Sequence, residues 1–157
     1  MTGFFGSYEL NVDGKGRFQL PSSFRKQMPD NSSGRFVMTR GMEKCLSLYP
    51  EENWRVLEKR VRSLNEFNPK VRLFKRLFFG GITLMEPDTA GRLLIPKQLL
   101  EYAGIEKEMI FFAQGDKIEI WDKETYNKLF EEESGNISAL AEEVLGSNFF
   151  NAPENEI

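Results

Sequence analysis

A chain of 157 residues makes one ordinary domain or two very small ones, and its 40% hydrophobic content, with 14 Phe, can supply a core. A single cysteine, Cys45, excludes an intrachain disulfide and a cysteine-built zinc site, and the absence of histidine excludes Ser-His-Asp and Cys-His catalysis. The net charge of −3 hides an asymmetry: residues 1–77 carry 15 Lys and Arg against 8 Asp and Glu, whereas residues 78–157 carry 6 against 16. Such a split suits a face that meets a polyanion, and equally two halves that pair electrostatically in an oligomer.

The N-terminus, M-T-G-F-F-G-S-Y, has none of the regions of a signal peptide, and no apolar run approaches the ~18 residues that span a membrane. A cytosolic, reducing location is the expectation. Tyr8 to Val12 alternates and predicts a strand ending at Asp13. Gly14 and Gly16 mark a tight turn, and Arg17 to Leu20 returns as a second strand. Pro21 opens a short helix from Ser22 to about Met28, and P-D-N-S-S-G at 29–34 is a loop. Phe36 to Thr39 and Cys45 to Tyr49 predict a hairpin around Gly41.

Trp54, Leu57, Val61 and Leu64 then recur at helical spacing. Asn68-Pro69 breaks that helix and opens another, with Val71, Phe74, Leu77 and Phe78 on its apolar side and Gly80-Gly81 at its end. Ile82 to Met85, a turn at 86–91 and Arg92 to Ile95 repeat the first strand pair. Pro96 opens a helix that Gly104 stops, and 109–113 with 117–121 close a second hairpin around Gly115. Tyr126, Leu129 and Phe130 mark a shorter helix, 131–135 reads as a solvated break, and Ile137 to Leu145 predicts one more amphipathic helix. A tail from Ser147 ends the chain as a frayed or partner-docked segment. The expected fold is α+β, mainly β: two β-β-α-β-β modules at 6–53 and 81–124, a helical linker at 54–80, and a C-terminal helix with an acidic tail at 125–157.

The two modules share a motif. Residues 13–21 read D-G-K-G-R-F-Q-L-P and residues 88–96 read D-T-A-G-R-L-L-I-P, so Asp13, Gly16, Arg17 and Pro21 recur as Asp88, Gly91, Arg92 and Pro96 after 75 positions. Much of this is scaffold. An acid and an arginine can pair across a turn, glycine permits the bend, and proline sets the junction to the helix. The differences carry the functional reading. Lys15 faces Ala90, and Arg25 and Lys26 face Leu100 and Glu101. The first copy is cationic where the second is apolar or acidic, so Lys15, Arg17, Arg25 and Lys26 are the candidate DNA contacts, with Arg35 and Arg40 as further phosphate ligands. Taken singly, the same charges would serve as solvated surface.

The D-x-x-x-R pair in two copies, the P-x-x-[FL] helix starts, the linker with N-P and the Trp121-Asp122 close resemble the MraZ family over residues 4–130. These are bacterial transcription regulators built from two SpoVT–AbrB-type modules. The resemblance implies a swapped-hairpin, double-ψ-like barrel formed by the two halves of one chain, and a homo-oligomeric ring. It also implies double-stranded DNA as partner, at short G-rich promoter repeats of the division and wall-synthesis operon, with Arg17 at the DNA-contacting arginine. The expected function is a nucleoid-associated, sequence-specific regulator repressing its own promoter.

Two other readings stay open. The extension beyond residue 131 suits an antitoxin of the same fold that caps a toxin. The acidic total charge suits an oligomeric scaffold without DNA. An enzyme is disfavoured: there is no G-x-x-x-x-G-K-[ST] loop, G-K-G-R sits in a β-turn, and Glu51-Glu52 suit a helix start. No cofactor and no metal is expected. Tyr49, Trp54 and Trp121 read as core or interface residues rather than base-stacking platforms.

Overall fold

Alternating residues place the strands where the sequence predicts them, but the strands find partners that their order in the chain does not suggest. In the computed structural model, which describes residues 4–28 and 30–146, β1 (Ser7–Asn11) pairs antiparallel with β7 (Glu108–Ala113) of the second repeat, Ser7 opposite Phe112. The strand that follows it, β2 (Arg17–Gln19), pairs with its own repeat mate β6 (Arg92–Leu94). Reciprocally, β5 (Thr83–Met85) pairs with β3 (Phe36–Arg40) of the first repeat. With β4 (Leu46–Pro50) and β8 (Ile118–Asp122), this makes a sheet ordered β1-β7-β8-β4-β3-β5 beside the two-stranded β2-β6 ribbon.

Because both repeats feed one sheet, they also feed one core. Phe18, Phe24, Leu93, Leu99, Phe111 and Ile120 are all buried in a single cluster, and the rings of Phe18 and Phe111 meet edge to face at 5.2 Å. Each such side chain removed from water contributes about 1.5–3 kcal/mol. The short helices α1 (Ser22–Lys26) and α4 (Lys97–Ala103) each follow a proline, and α4 ends at Gly104 in the left-handed region, φ +66°.

The linker forms α2 (Glu51–Arg62) and α3 (Pro69–Phe79). Glu51 and Glu52 open α2, and Lys59, Arg60 and Arg62 close it, as the helix dipole favours. The Asn68 side chain accepts the Lys70 N–H at 2.9 Å, and Pro69 fills the first turn of α3. A second apolar cluster of Val37, Tyr49 and Trp54 fastens the helices to β3 and β4, with Phe78 stacked on Trp54 at 5.3 Å.

One helix face departs from the sequence reading. Phe78 packs inward as expected, but the most buried residue of α3 is Lys75, while Leu73, Phe74 and Leu77 face outward. The cause is the turn between the helices. Lys75 Nζ donates to the Arg62 and Leu64 carbonyls and to Glu66, each at 3.1 Å, satisfying acceptors that the end of α2 leaves unpaired.

The chain divides into two compact units at the Lys123–Glu124 boundary. The second holds most of α5 (Lys123–Glu133), a 3-10 turn at Ser134–Asn136 and α6 (Ile137–Leu145). The expected break at 131–135 is displaced: the acidic run completes α5, since Glu is a good helix former, and the break falls at Ser134-Gly135-Asn136. The tail from Ser147 lies outside the described residues.

Candidate functional site

The two D-x-x-x-R turns are built alike. Asp13 Oδ1 accepts the backbone N–H groups of Lys15 and Arg17, both at 2.9 Å, and Oδ2 accepts Arg17 Nε at 2.9 Å. Asp88 accepts from Ala90 at 2.9 Å, from the Arg92 backbone at 2.8 Å and from Arg92 Nε at 3.0 Å. Gly16 and Gly91 close the turns at φ +88° and +80°, where a Cβ is disfavoured. The backbone N–H of the arginine is the largest cause that holds each carboxyl below its ordinary range, followed by the Arg17 side chain at Asp13 and by the Ala90 N–H at Asp88, so both remain charged acceptors at neutral pH.

This arrangement aims the arginines. Asp13 occupies Arg17 Nε, and the terminal nitrogens of Arg17 have no hydrogen bond among the described residues. The guanidinium is fixed by one edge and free at the other, the edge that fits O6 and N7 of a guanine. Arg92 is disposed in the same way.

The β2-β6 ribbon then brings the two arginines together. In its register Arg17 lies opposite Leu94, Phe18 opposite Leu93, and Gln19 opposite Arg92. Phe18 and Leu93 are buried, so the alternate residues Arg17, Gln19, Arg92 and Leu94 share the outer face. Two residues of strand, about 7 Å, separate the arginines along the ribbon. The sequence reading assigned Arg17 to recognition and Arg92 to scaffold; the backbone places both on one face.

The remaining candidates divide between the turns. Lys15 is exposed on the first turn. Arg25 lies against the second: a Cβ on Gly91 would stand 2.9 Å from Gln19 Nε2 and 3.1 Å from an Arg25 terminal nitrogen. A Cβ on Gly16 would instead meet Leu100 at 3.5 Å and Leu94 at 3.6 Å. Each repeat thus lends its ribbon residue and its helix residue to the turn of the other. Lys26 is exposed on α1. Arg35 is engaged elsewhere, with Nε 2.6 Å from Glu51, whose carboxyl that bond holds below its usual range. Arg40 lies over the Tyr102 ring at 5.4 Å. The lone thiol offers no nucleophile, since burial pushes Cys45 up to about 12. Among the described residues no group of three potential metal ligands assembles, and no helix is long and apolar enough to cross a membrane.

The sequence profile of the MraZ protein family, whose description adds "antitoxin-like", matches residues 4–77 and again 78–148. The chain belongs to the MraZ family. Among the curated members, a protein of Christiangramia forsetii named Transcriptional regulator MraZ is 44% identical over 96% of this chain and 97% of its own. Proteins of the same name from Cytophaga hutchinsonii and Flavobacterium psychrophilum are 41% and 38% identical, covering 91% and 94% of this chain and 95% and 94% of their own. The two profile matches meet at residue 78, so the repeat seen in the motif extends over almost the whole chain.

Proposed function

We propose that the protein is a sequence-specific DNA-binding transcriptional regulator that reads tandem short promoter repeats as a ring oligomer and represses its own division and cell-wall operon. Its place in the cell is then the cytoplasm, on the nucleoid. The observation that carries this reading is the outer face of the β2-β6 ribbon, which Arg17 and Arg92 share, two strand residues apart, with free guanidinium edges. A two-stranded ribbon enters a major groove about 12 Å wide. Arg17 is placed on base edges and Lys15 on the adjoining phosphates; Arg25 and Lys26 serve the backbone on either side. The family names of the relatives support regulation of transcription. The exchange of β1 and β5 between repeats supports a swapped-hairpin barrel.

One subunit offers few contacts, so affinity comes from several subunits on linked sites. Footprinting on the protein's own upstream region, with salt titrations on one-repeat and three-repeat fragments, tests this. Three engaged subunits make about 6–9 phosphate contacts, for a slope of log affinity on log salt near −5 to −8. A slope near zero, or equal affinity for the two fragments, removes the ribbon as the DNA surface and favours the scaffold reading.

A further inference from the structure

The positive charge of the first half sits mostly away from the ribbon. Residues 51–79 carry eight Lys and Arg against four Glu, a net of +4 out of the +7 over residues 1–77. This is the α2–α3 hairpin. Lys59, Arg60, Lys70 and Arg76 make no ion pair among the described residues. DNA would satisfy the charge, but the α3 face that carries Lys70 is also apolar. Leu73 and Leu77 are 55% and 61% exposed, and Phe74 and Leu77 line a groove of about 280 Å³ with Arg40, Met42, Phe78 and Tyr102. A phosphate backbone gives no return for covering leucine and phenylalanine. A protein surface that is both acidic and apolar does.

The chain itself carries such a surface. Residues 124–157 hold eight Glu against one Lys, a net of −7. Within that unit, Phe130 is 62% and Ile137 70% exposed, and with Tyr126, Leu129 and Leu140 they line an apolar depression of about 290 Å³ edged by Glu133. We propose that the α5–α6 unit of one copy docks on the α2–α3 hairpin of a second copy, its apolar face seated on Phe74 and Leu77 and its Glu131–Glu133 run facing Arg40 and Lys70. Lys70, Phe74 and Leu77 share one face of α3 by their spacing. The donor and acceptor surfaces differ, so each copy gives one contact and receives one, the heterologous arrangement that forms a ring when its rotation closes. The inference rests on the ring reading above and names the contact that would build it.

The test uses the full-length protein. A photo-crosslinking residue replaces Phe130, two differently tagged populations are mixed and irradiated, and the adducts are mapped. The expected product joins the two tags, with attachment within residues 70–79. Adducts confined to one chain, or joining one α5–α6 unit to another, overturn the proposal. In parallel, Phe130→Asp and Leu77→Asp, both at exposed positions, should each raise the dissociation midpoint of the assembly about thirtyfold or more in sedimentation experiments. Replacing Glu131, Glu132 and Glu133 by Lys should weaken assembly about tenfold, and adding Arg40→Glu with Lys70→Glu should restore it. A wild-type chain that sediments as a monomer removes the ring reading and the contact together. A wild-type assembly whose mass none of these substitutions changes leaves the ring standing and overturns the contact.

Discussion

The Asp13 and Asp88 turns hold the same three hydrogen bonds at nearly the same lengths, yet their surroundings differ in kind. The first carries its cation on itself, as Lys15, and rests against Leu94 and Leu100. The second carries Thr89 and Ala90 and borrows its cation, Arg25, from the other repeat, with Gln19 beside it. Duplication kept the turn because the turn is a self-contained hydrogen-bonded unit. Exchange of neighbours let the two copies diverge without disturbing it. Apolar neighbours at the first turn offer Arg17 no competing polar group, whereas Gln19 and Arg25 lie at the turn that carries Arg92.

Substitutions at paired positions can break this comparison. Arg17→Ala should cost about 1–3 kcal/mol of DNA affinity per engaged subunit, so an assembly on three sites loses at least about a hundredfold, with the fold intact by circular dichroism. Arg92→Ala should cost nearer tenfold. Equal losses in band-shift titrations would show that the different neighbours of the two turns do not matter. Gly16→Ala should destabilise by about 3 kcal/mol or more, because the new Cβ meets the Ile95 carbonyl oxygen at 2.6 Å in addition to its positive φ. Gly91→Ala should cost about 1–2 kcal/mol, since its neighbours are the movable ends of Gln19 and Arg25. Urea midpoints in the reverse order would contradict this distinction between a backbone neighbour at Gly16 and side-chain neighbours at Gly91.

The carboxylates should behave alike. Their folded-state values lie below those of a free Asp, so each adds stability above about pH 4 that is lost as pH falls through the folded value. Asp13→Asn and Asp88→Asn should therefore each flatten the acid limb of a melting-temperature profile, by similar amounts. A flattening confined to one variant would mean that the turns are not equivalent. Smallest per subunit, Arg25→Leu should reduce the salt slope by about 1 for each engaged subunit, about 3 on a three-repeat fragment, as for one phosphate contact per subunit.

What could be read from the sequence was what neighbours along the chain decide. Asp, Gly, Arg and Pro within nine residues specify each turn, and alternation locates the strands flanking it. Alternation says which face of a strand is buried but not which strand lies beside it, so the pairing of β1 with β7 is not legible in the sequence. The same ignorance of neighbours put Arg25 beside Lys15 rather than beside Gly91. Lys75 escapes such a reading because an apolar stripe predicts an inward apolar face, whereas the carbonyls ending α2 require a donor there. The signal that could have found it is a lysine in the middle of a stripe, opposite a helix end.

The exchange of strands also has a consequence in time. Ser7 must wait for Phe112, made 105 residues later, before β1 has its neighbour. At about 5–20 residues per second, roughly 5–20 s of synthesis pass with the edge of β1 unpaired. No cut between the repeats leaves a half with its own complement of strands, since β1 and β5 each complete the other repeat. The newborn chain is therefore most exposed to wrong partners while it is still attached to the ribosome, and where many copies are made from one message, the nearest wrong partner is the second repeat of the chain ahead.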